Sequence, residues 1–587
     1  MNFSITRFEK NNGIFVFLLI AISSLAYINT LANLFVFDDN LIIVGNKWIT
    51  DIRYLKDIFT KDVAAFDSRY STSYYRPIFY SIQLLIYYLF ELKPWAWHLV
   101  NIALHSAVSV VLYFVTCKLF FKLDIAPGLS CRSLSFITSL LFALHPIHTE
   151  AVAWSSGLPD LSYTLFCLLS FLLYIKSSEE KKIFNINYIG SVIIYFIATL
   201  CKEPALTLPL VIMAYDYSET KNLNNIVHNI KRYIAYFTAA IVYIVMRYNA
   251  LHGFAPSKQY RELTNYEAVI NALVLFKQFL SKLILPVNLN ILHVFTPIKS
   301  IFELKGIIGL IVIMAFGFAI YFAARSKIIF VSLFLIFMPL LPALYIQGIG
   351  KSPLAERYLY LPSAGFVILL SFSLNYFIKK YHYIKITGIL LSAMLVIYLT
   401  ATVDRNKVWK NDLNLWADSV AKSPDSAMSH EYYGGALYMN GRVDEAIEQY
   451  KHSIIIDRNL ADAHINLGVA YFSKGLIDEA IKEFLAVIEI NPNYVEAYDY
   501  LGRAFKKNGF TEKAIYQFKR CIEVDPNYAE GHNQLAILYL KTGNIESAIR
   551  EFNIALRINP TNKEYQNNLN AAMQIFSKRG RNPFFTW

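Results

Sequence analysis

Charge is what this sequence has least of. Asp, Glu, Lys and Arg make up 17% of its 587 residues against 56% apolar ones, with a mean hydropathy of +0.38. That balance excludes an ordinary soluble protein of this length and puts most of the chain in lipid. Cysteine is sparse as well: Cys117, Cys131, Cys167 and Cys201 lie in or beside apolar runs and Cys521 stands alone, so neither a disulfide framework nor a thiolate metal cluster is written here. A basic stripe and a groove-reading motif are both missing, so the net charge of +12 does not point to nucleic acid. In a membrane protein such an excess of cations is expected where cytoplasmic loops lie against anionic lipid. The first apolar run follows Arg7 and Lys10 but exceeds a signal-peptide core and lacks a small-residue cleavage site, so it reads as a retained anchor.

What is present falls into two parts. Long apolar blocks fill residues 14 to about 402, and charged sequence punctuated by Ala and Gly follows, with the boundary near Asp404. Segments long enough to cross a bilayer fall near 14–36, 96–117, 134–150, 160–176, 187–202, 204–217, 233–250, 304–324, 328–347, 358–378 and 386–403, eleven in all. The stretch 187–217 is nearly continuous, and Cys201-Lys202-Glu203-Pro204 within it suggests a tight reversal. With the N-terminus inside, the cytoplasmic loops hold sixteen cations: Arg7, Lys10, Lys118, Lys122, Arg132, Lys176, Lys181, Lys182, Lys221, Lys231, Arg232, Arg325, Lys327, Lys379, Lys380 and Lys385. The short turns on the other side hold Lys202, Lys351 and Arg357, the asymmetry the positive-inside rule expects. An odd number of spans puts the C-terminal part outside, provided that the amphipathic segments 77–92 and 268–285 lie on the membrane surface; Lys277 and Lys282 make a crossing by the second costly. Two large outer loops result, 37–95 and 251–303.

From Ala427 the sequence repeats every 34 residues, as Gly441, Gly475, Gly509 and Gly543, Ala446, Ala480, Ala514 and Ala548, and Tyr450, Phe484, Phe518 and Phe552 show. This is the tetratricopeptide pattern. Small residues at Gly434, Gly468, Gly502 and Ala536 let paired helices approach, and Pro492, Pro526 and Pro560 end successive copies. The expected organisation is a membrane domain over 1–403, a linker with a degenerate half-repeat over 404–426, four repeats over 427–562, and a capping helix and tail over 563–587. Such an array offers a concave surface for a peptide or protein, or serves as a spacer.

Ionisable groups at membrane depth are functional hypotheses by default, and in this topology they gather on the outer side. Phe37-Asp38-Asp39-Asn40 follows the first span and Tyr74-Tyr75-Arg76-Pro77 ends the first outer loop. His145-Pro146-Ile147-His148-Thr149-Glu150 ends the third span, Lys202-Glu203-Pro204 the fifth, Glu356-Arg357-Tyr358 opens the tenth, and Arg261 lies in the second outer loop. Each has a structural reading: Asp-Asp-Asn often caps a turn, and Lys202-Glu203 reads in isolation as a snorkelled ion pair. Arg suits phosphate because its planar fork donates two bonds at once. Carboxylates facing cations would suit a phosphate leaving group and a hydroxyl acceptor, and equally an ion pathway. The spacing of His145, His148 and Glu150 leaves a possible divalent metal open, although Pro146 disturbs the helix they would share; hydrogen-bonding histidines are the alternative.

Taken together, Phe37-Asp38-Asp39, Tyr75-Arg76-Pro77, Leu144 to Ala153, Lys202-Glu203 and Glu356 to Ser363, followed by the repeats, resemble the transmembrane-and-tetratricopeptide protein O-mannosyltransferase-like family over essentially the whole chain. The resemblance implies an all-α protein with a GT-C type membrane domain and a repeat solenoid. It also implies a polyprenyl-phosphate-linked sugar donor, O-glycosylation of a hydroxyl with inversion, and an acid of the first outer loop, Asp38 or Asp39, as base. Arg76, His145, His148, Glu150, Lys202, Glu203, Arg261, Glu356 and Arg357 become candidates for holding the donor phosphate or substrate. The expected setting is a bacterial inner membrane, with the repeats on the periplasmic side that the span count gives and their groove holding a protein or peptide acceptor. One departure stands at Gly157-Leu158-Pro159-Asp160, where the family usually has a basic residue. A non-catalytic scaffold recruiting envelope proteins is the alternative; for a transporter, the polar residues lie at span ends where a pathway expects them at the midplane.

Overall fold

The computed structural model describes residues 12–63, 65–66, 74–121, 123–127, 129–180, 184–220, 229–253, 263–324, 326–348 and 352–580. Their regular structure is helical, with no strand among the described residues. The chain divides into two compact units, Met1–Asp418 and Ser419–Trp587.

In the first unit eight helices among the described residues are long and apolar enough to cross a membrane: Gly13–Ala32, Pro94–Leu119, Ser155–Ser178, Ile230–Leu251, Leu304–Ala323, Lys327–Leu344, Glu356–Tyr381 and Ile384–Val408. Their outward faces are unusually apolar. Only 17% of the most hydrophobic stretch of Leu304–Ala323 and 11% of that of Ile384–Val408 is buried in the protein, and Ile311, Phe318, Ile389 and Ile397 stand exposed. Such surfaces need lipid against them, and the chain is an integral membrane protein. Inside, Leu112, Leu141, Phe142, Phe171 and Tyr360 share a core. Helices close tightly where small residues permit it: a Cβ on Gly365 would stand 2.5 Å from the Ser332 carbonyl oxygen of the facing helix.

The remaining expected spans are irregular. The stretch 134–150 is a broken pair, Cys131–Ala143 and Pro146–Ala153, bent by 48°. Pro146 has no N–H for the continuing helix, and His145 re-caps the second piece by accepting the Ile147 N–H on Nδ1 at 3.3 Å. The stretch 187–217 is two helices, Ile186–Cys201 and Leu208–Thr220, separated by Lys202 in extended conformation (φ −162°, ψ 144°) and a tight turn over Glu203–Thr207. The segments expected on the membrane surface are helices Pro77–Phe90 and Asn265–Ile284.

The second unit is a ladder of paired helices, Ala427–Met439 with Val443–Ile456, Ala461–Ser473 with Ile477–Ile490, Val495–Lys507 with Thr511–Val524, and Ala529–Lys541 with Ile545–Ile558, followed by Lys563–Gly580. Gly441, Gly475, Gly509 and Gly543 turn each pair at φ +76° to +81°, where a side chain would be strained. Gly468 faces Phe484 so closely that a Cβ would come within 2.5 Å of its ring. The 34-residue pattern is thus a stack of interlocked aromatic and glycine positions.

Candidate active site

After Gly13–Ala32 the chain turns sharply. Asn33 is extended, Phe37 takes the left-handed region at φ +53°, and Asp39 opens a helical turn over Asn40–Val44. A bulky residue at positive φ costs of order 1–3 kcal/mol, so the surroundings must hold it there. The two acids emerge with opposite fates. Asp39 is fully buried: its Oδ2 accepts the Val36 N–H at 3.1 Å, and its Oδ1 accepts the Ser156 N–H at 2.9 Å and the Ser156 hydroxyl at 2.5 Å. It ties the loop to the Ala153–Leu158 connection. Asp38 is half-buried, its carboxylate takes no hydrogen bond from the described residues, and it lies in the field of Arg357. Burial pushes Asp38 up to about 6 against the pull of that guanidinium. Burial likewise lifts Asp39 to about 7, opposed by its bonds from Ser156 and Val36.

Arg357 belongs to a group of three cations, each braced by an acid from a distant element. Arg357 donates its backbone N–H to Glu150 Oε2 at 2.9 Å and its guanidinium to Glu150 Oε1, and lies 5.4 Å over Trp154 and 5.1 Å over Tyr358. Lys202 Nζ sits 2.6 and 2.7 Å from the two oxygens of Asp160 and 5.0 Å over the same Tyr358 ring. Arg76 Nη2 donates to Glu203 Oε2 at 3.0 Å and lies 4.3 Å over Tyr74. Asp160 is within electrostatic reach of all three. The side chains of Glu150 and Asp160 are 1% and 3% exposed, whereas Arg357 keeps 25% and Arg76 16%. The buried acids orient the cations, and guanidinium edges remain available to an anion.

Several expected site residues have other work. Lys202 and Glu203 do not pair with each other: Lys202 turns to Asp160 and Glu203 to Arg76, because the extended residue at 202 points the two neighbours apart. His145 Nε2 faces the Leu283 carbonyl at 3.2 Å and His148 Nε2 the Ser363 hydroxyl at 2.7 Å, both rings fully buried. With Glu150 on Arg357, that trio does not converge as a divalent ion needs, and no group of three His, Cys, Asp or Glu among the described residues does. Glu356 accepts the Asn290 N–H at 2.6 Å and pairs with His293 Nε2 at 2.9 Å, bracing the 285–303 segment. Arg261 lies outside the described residues. Sequence reading missed Asp160, noted only as a departure, together with Ser156, Trp154 and Tyr358. An acid in the first turn of a span was the available signal for Asp160; the others carried none.

The TPR repeat model matches residues 434–475 and 470–509 and the tetratricopeptide repeat model residues 507–573. The chain is 28% identical over 456 residues to Protein O-mannosyl-transferase F38B6.6 of Caenorhabditis elegans, covering 75% of this chain and 62% of that one. Against Protein O-mannosyl-transferase TMTC3 of Homo sapiens it is 26% identical over 490 residues, covering 76% and 52%. It therefore spans between half and two thirds of the length of these relatives. Among solved structures, that titled Crystal structure of MamA is 24% identical with a TM-score of 0.24, over 25% of this chain and 85% of that chain. With its apolar helices, its repeats and relatives of this name along three quarters of its length, the chain is similar to the transmembrane-and-tetratricopeptide protein O-mannosyltransferases.

Proposed function

We propose that the membrane unit is a GT-C type glycosyltransferase that moves a sugar from a polyprenyl-phosphate donor to a hydroxyl of a protein or peptide, with inversion. The observation that carries this reading is the contrast between the adjacent acids: Asp39 is consumed by three hydrogen bonds, while Asp38 presents a half-buried carboxylate beside partly exposed Arg357. Asp38 takes the proton of the acceptor hydroxyl as its oxygen attacks the anomeric carbon. The bond from that carbon to the phosphate oxygen breaks, and the electron pair leaves with the lipid phosphate. Arg357, with Lys202 and Arg76 behind it, stabilises the charge gathering on that phosphate. The name of the relatives, protein O-mannosyl-transferases, supports a protein acceptor. In this proposal the site and the repeats, 427–562 with their cap, face the periplasm of a bacterial inner membrane, and the concave groove of the repeats holds the acceptor.

Purified full-length protein given a polyprenyl-phosphate-linked sugar and a peptide acceptor should release polyprenyl phosphate and glycosylated peptide of inverted anomeric configuration. Retained configuration, or no transfer with any sugar and acceptor offered, would overturn the reading. A reporter fused after Trp587 should be active outside the cytoplasm; activity only inside would reverse the topology.

A further inference from the structure

The segment that closes the membrane unit is bound, residue after residue, to the loop that carries the two acids. Asn29 Nδ2 donates to the Val403 carbonyl at 3.0 Å, Asn406 Nδ2 to the Ala26 carbonyl and to Asn29 Oδ1, each at 2.9 Å, and the Leu34 N–H to the Lys410 carbonyl at 2.9 Å. The line ends at the strained residue: Asp412 Oδ1 accepts the Phe37 N–H at 2.8 Å. The Phe37 ring meets Trp416 edge-on at 5.2 Å and Trp154 at 6.0 Å, and Trp154 stacks on Trp409. Trp409 and Trp416 are buried. One residue before Asp38, a residue at φ +53° is thus held by an acceptor 375 positions further along the chain, with its ring set between Trp416 of the same distant segment and Trp154.

We propose that Asp412 is a positioning residue for the transfer reaction: by fixing the Phe37 N–H it keeps the backbone in the left-handed turn that aims Asp38 at the acceptor hydroxyl. The inference rests on Asp38 being the base. What Asp412 supplies is an acceptor oxygen at a fixed place, with the side chains of Trp416 and Asn40 facing the same carboxylate. Charge is not what the contact needs, because the partner is a neutral peptide N–H. Asn at this position keeps an acceptor oxygen in place, Glu keeps the charge but carries the oxygen one methylene further, and Ala removes it.

The experiment measures transfer by full-length Asp412→Asn, Asp412→Glu and Asp412→Ala, with kcat separated from KM for the donor. Misplacement of a reacting group by about 1 Å can cost about 100-fold, so Asp412→Ala and Asp412→Glu should lose about 10- to 100-fold in kcat with donor KM unchanged. Asp412→Asn should stay within about threefold by the same reasoning. In an Asp38→Asn background Asp412→Ala should cause no further loss, since both act on one group. An active Glu variant with an inactive Asn variant, or an Asp412→Ala loss that multiplies that of Asp38→Asn, overturns the positioning role. If Asp412→Ala does not fold, the Asn and Glu variants decide the question. Undiminished transfer by Asp38→Asn itself would instead overturn the assignment of the base.

Discussion

Lys202 and Asp160 make the sharpest energetic prediction in the molecule. The pair is 4% and 3% exposed, with the ammonium 2.6 and 2.7 Å from the two carboxylate oxygens. Lys202→Met leaves a buried carboxylate without its cation, and Asp160→Leu leaves a buried ammonium without its anion. Breaking such a pair from one side costs about 3–5 kcal/mol, whereas replacing both partners with apolar residues is often close to neutral. With an unfolding entropy of ~2.1 cal/mol/K per residue, a unit the size of Met1–Asp418 shifts by at least about 1 °C per kcal/mol. Each single variant should therefore melt about 3–5 °C or more below wild type. The double variant Lys202→Met/Asp160→Leu should melt above both singles. The assay is thermal unfolding of the detergent-purified full chain, followed by tryptophan emission. Strictly additive losses, with the double variant the least stable, would refute the reasoning, since they would mean that the two residues do not compensate each other.

Four further outcomes follow from the structure. Because burial raises Asp38 to about 6 and the base works deprotonated, kcat/KM should rise with pH through about 6 and level off above it; a rate already maximal at pH 4 contradicts this. Gly468→Ala, whose methyl would meet the Phe484 ring at 2.5 Å, should cost about 1–3 kcal/mol in the melting of the repeats; an unchanged transition refutes the close approach. His464 offers both ring nitrogens to acceptors, Glu483 Oε2 at 2.7 Å and the Arg458 carbonyl at 3.1 Å, and the bond to Glu483 raises its pKa. A raised histidine contributes stability in full below its unfolded value of about 6.5 and loses it as pH climbs through the higher folded one. His464→Gln should flatten that slope, and an unaltered pH dependence of repeat melting would contradict the bridge. Deleting residues 427–587 should lower modification of a protein acceptor while donor-lipid binding persists, and an undiminished rate on every acceptor rules out a recruiting role.

How far the sequence could be read depended on how local the determinants were. The repeats were legible, because Gly441, Gly475, Gly509 and Gly543 occupy a backbone turn that few other residues tolerate. Long spans such as Leu304–Ala323 declare themselves by hydropathy alone. The break at His145 was flagged by Pro146, yet the expected span ran through it, since apolar residues continue on both sides. Partners of the site charges were beyond reach. Lys202 pairs 42 residues back with Asp160 although Glu203 is its neighbour, and Arg357 pairs with Glu150 from 207 positions away. Only the packing of helices sets such distances. The turn at Phe37 was least legible of all, because an aromatic residue does not advertise a left-handed conformation and its anchor, Asp412, lies 375 positions on.

The central claim is that Asp38 is the base and Asp39 its structural neighbour, and single-turnover transfer by Asp38→Asn and Asp39→Asn tests it most directly. A positioned general base contributes typically about 10²- to 10⁴-fold. Asp38→Asn should therefore lose at least about 100-fold in the transfer step while keeping expression, fold and affinity for polyprenyl phosphate. Asp39→Asn turns one of the two acceptor oxygens into a donor and so loses either the Val36 N–H or the Ser156 N–H as a partner; its first effect should be on stability, with a smaller loss in rate. Wild-type transfer by both variants, made singly and together, would contradict the account; loss confined to Asp39→Asn would exchange the two roles.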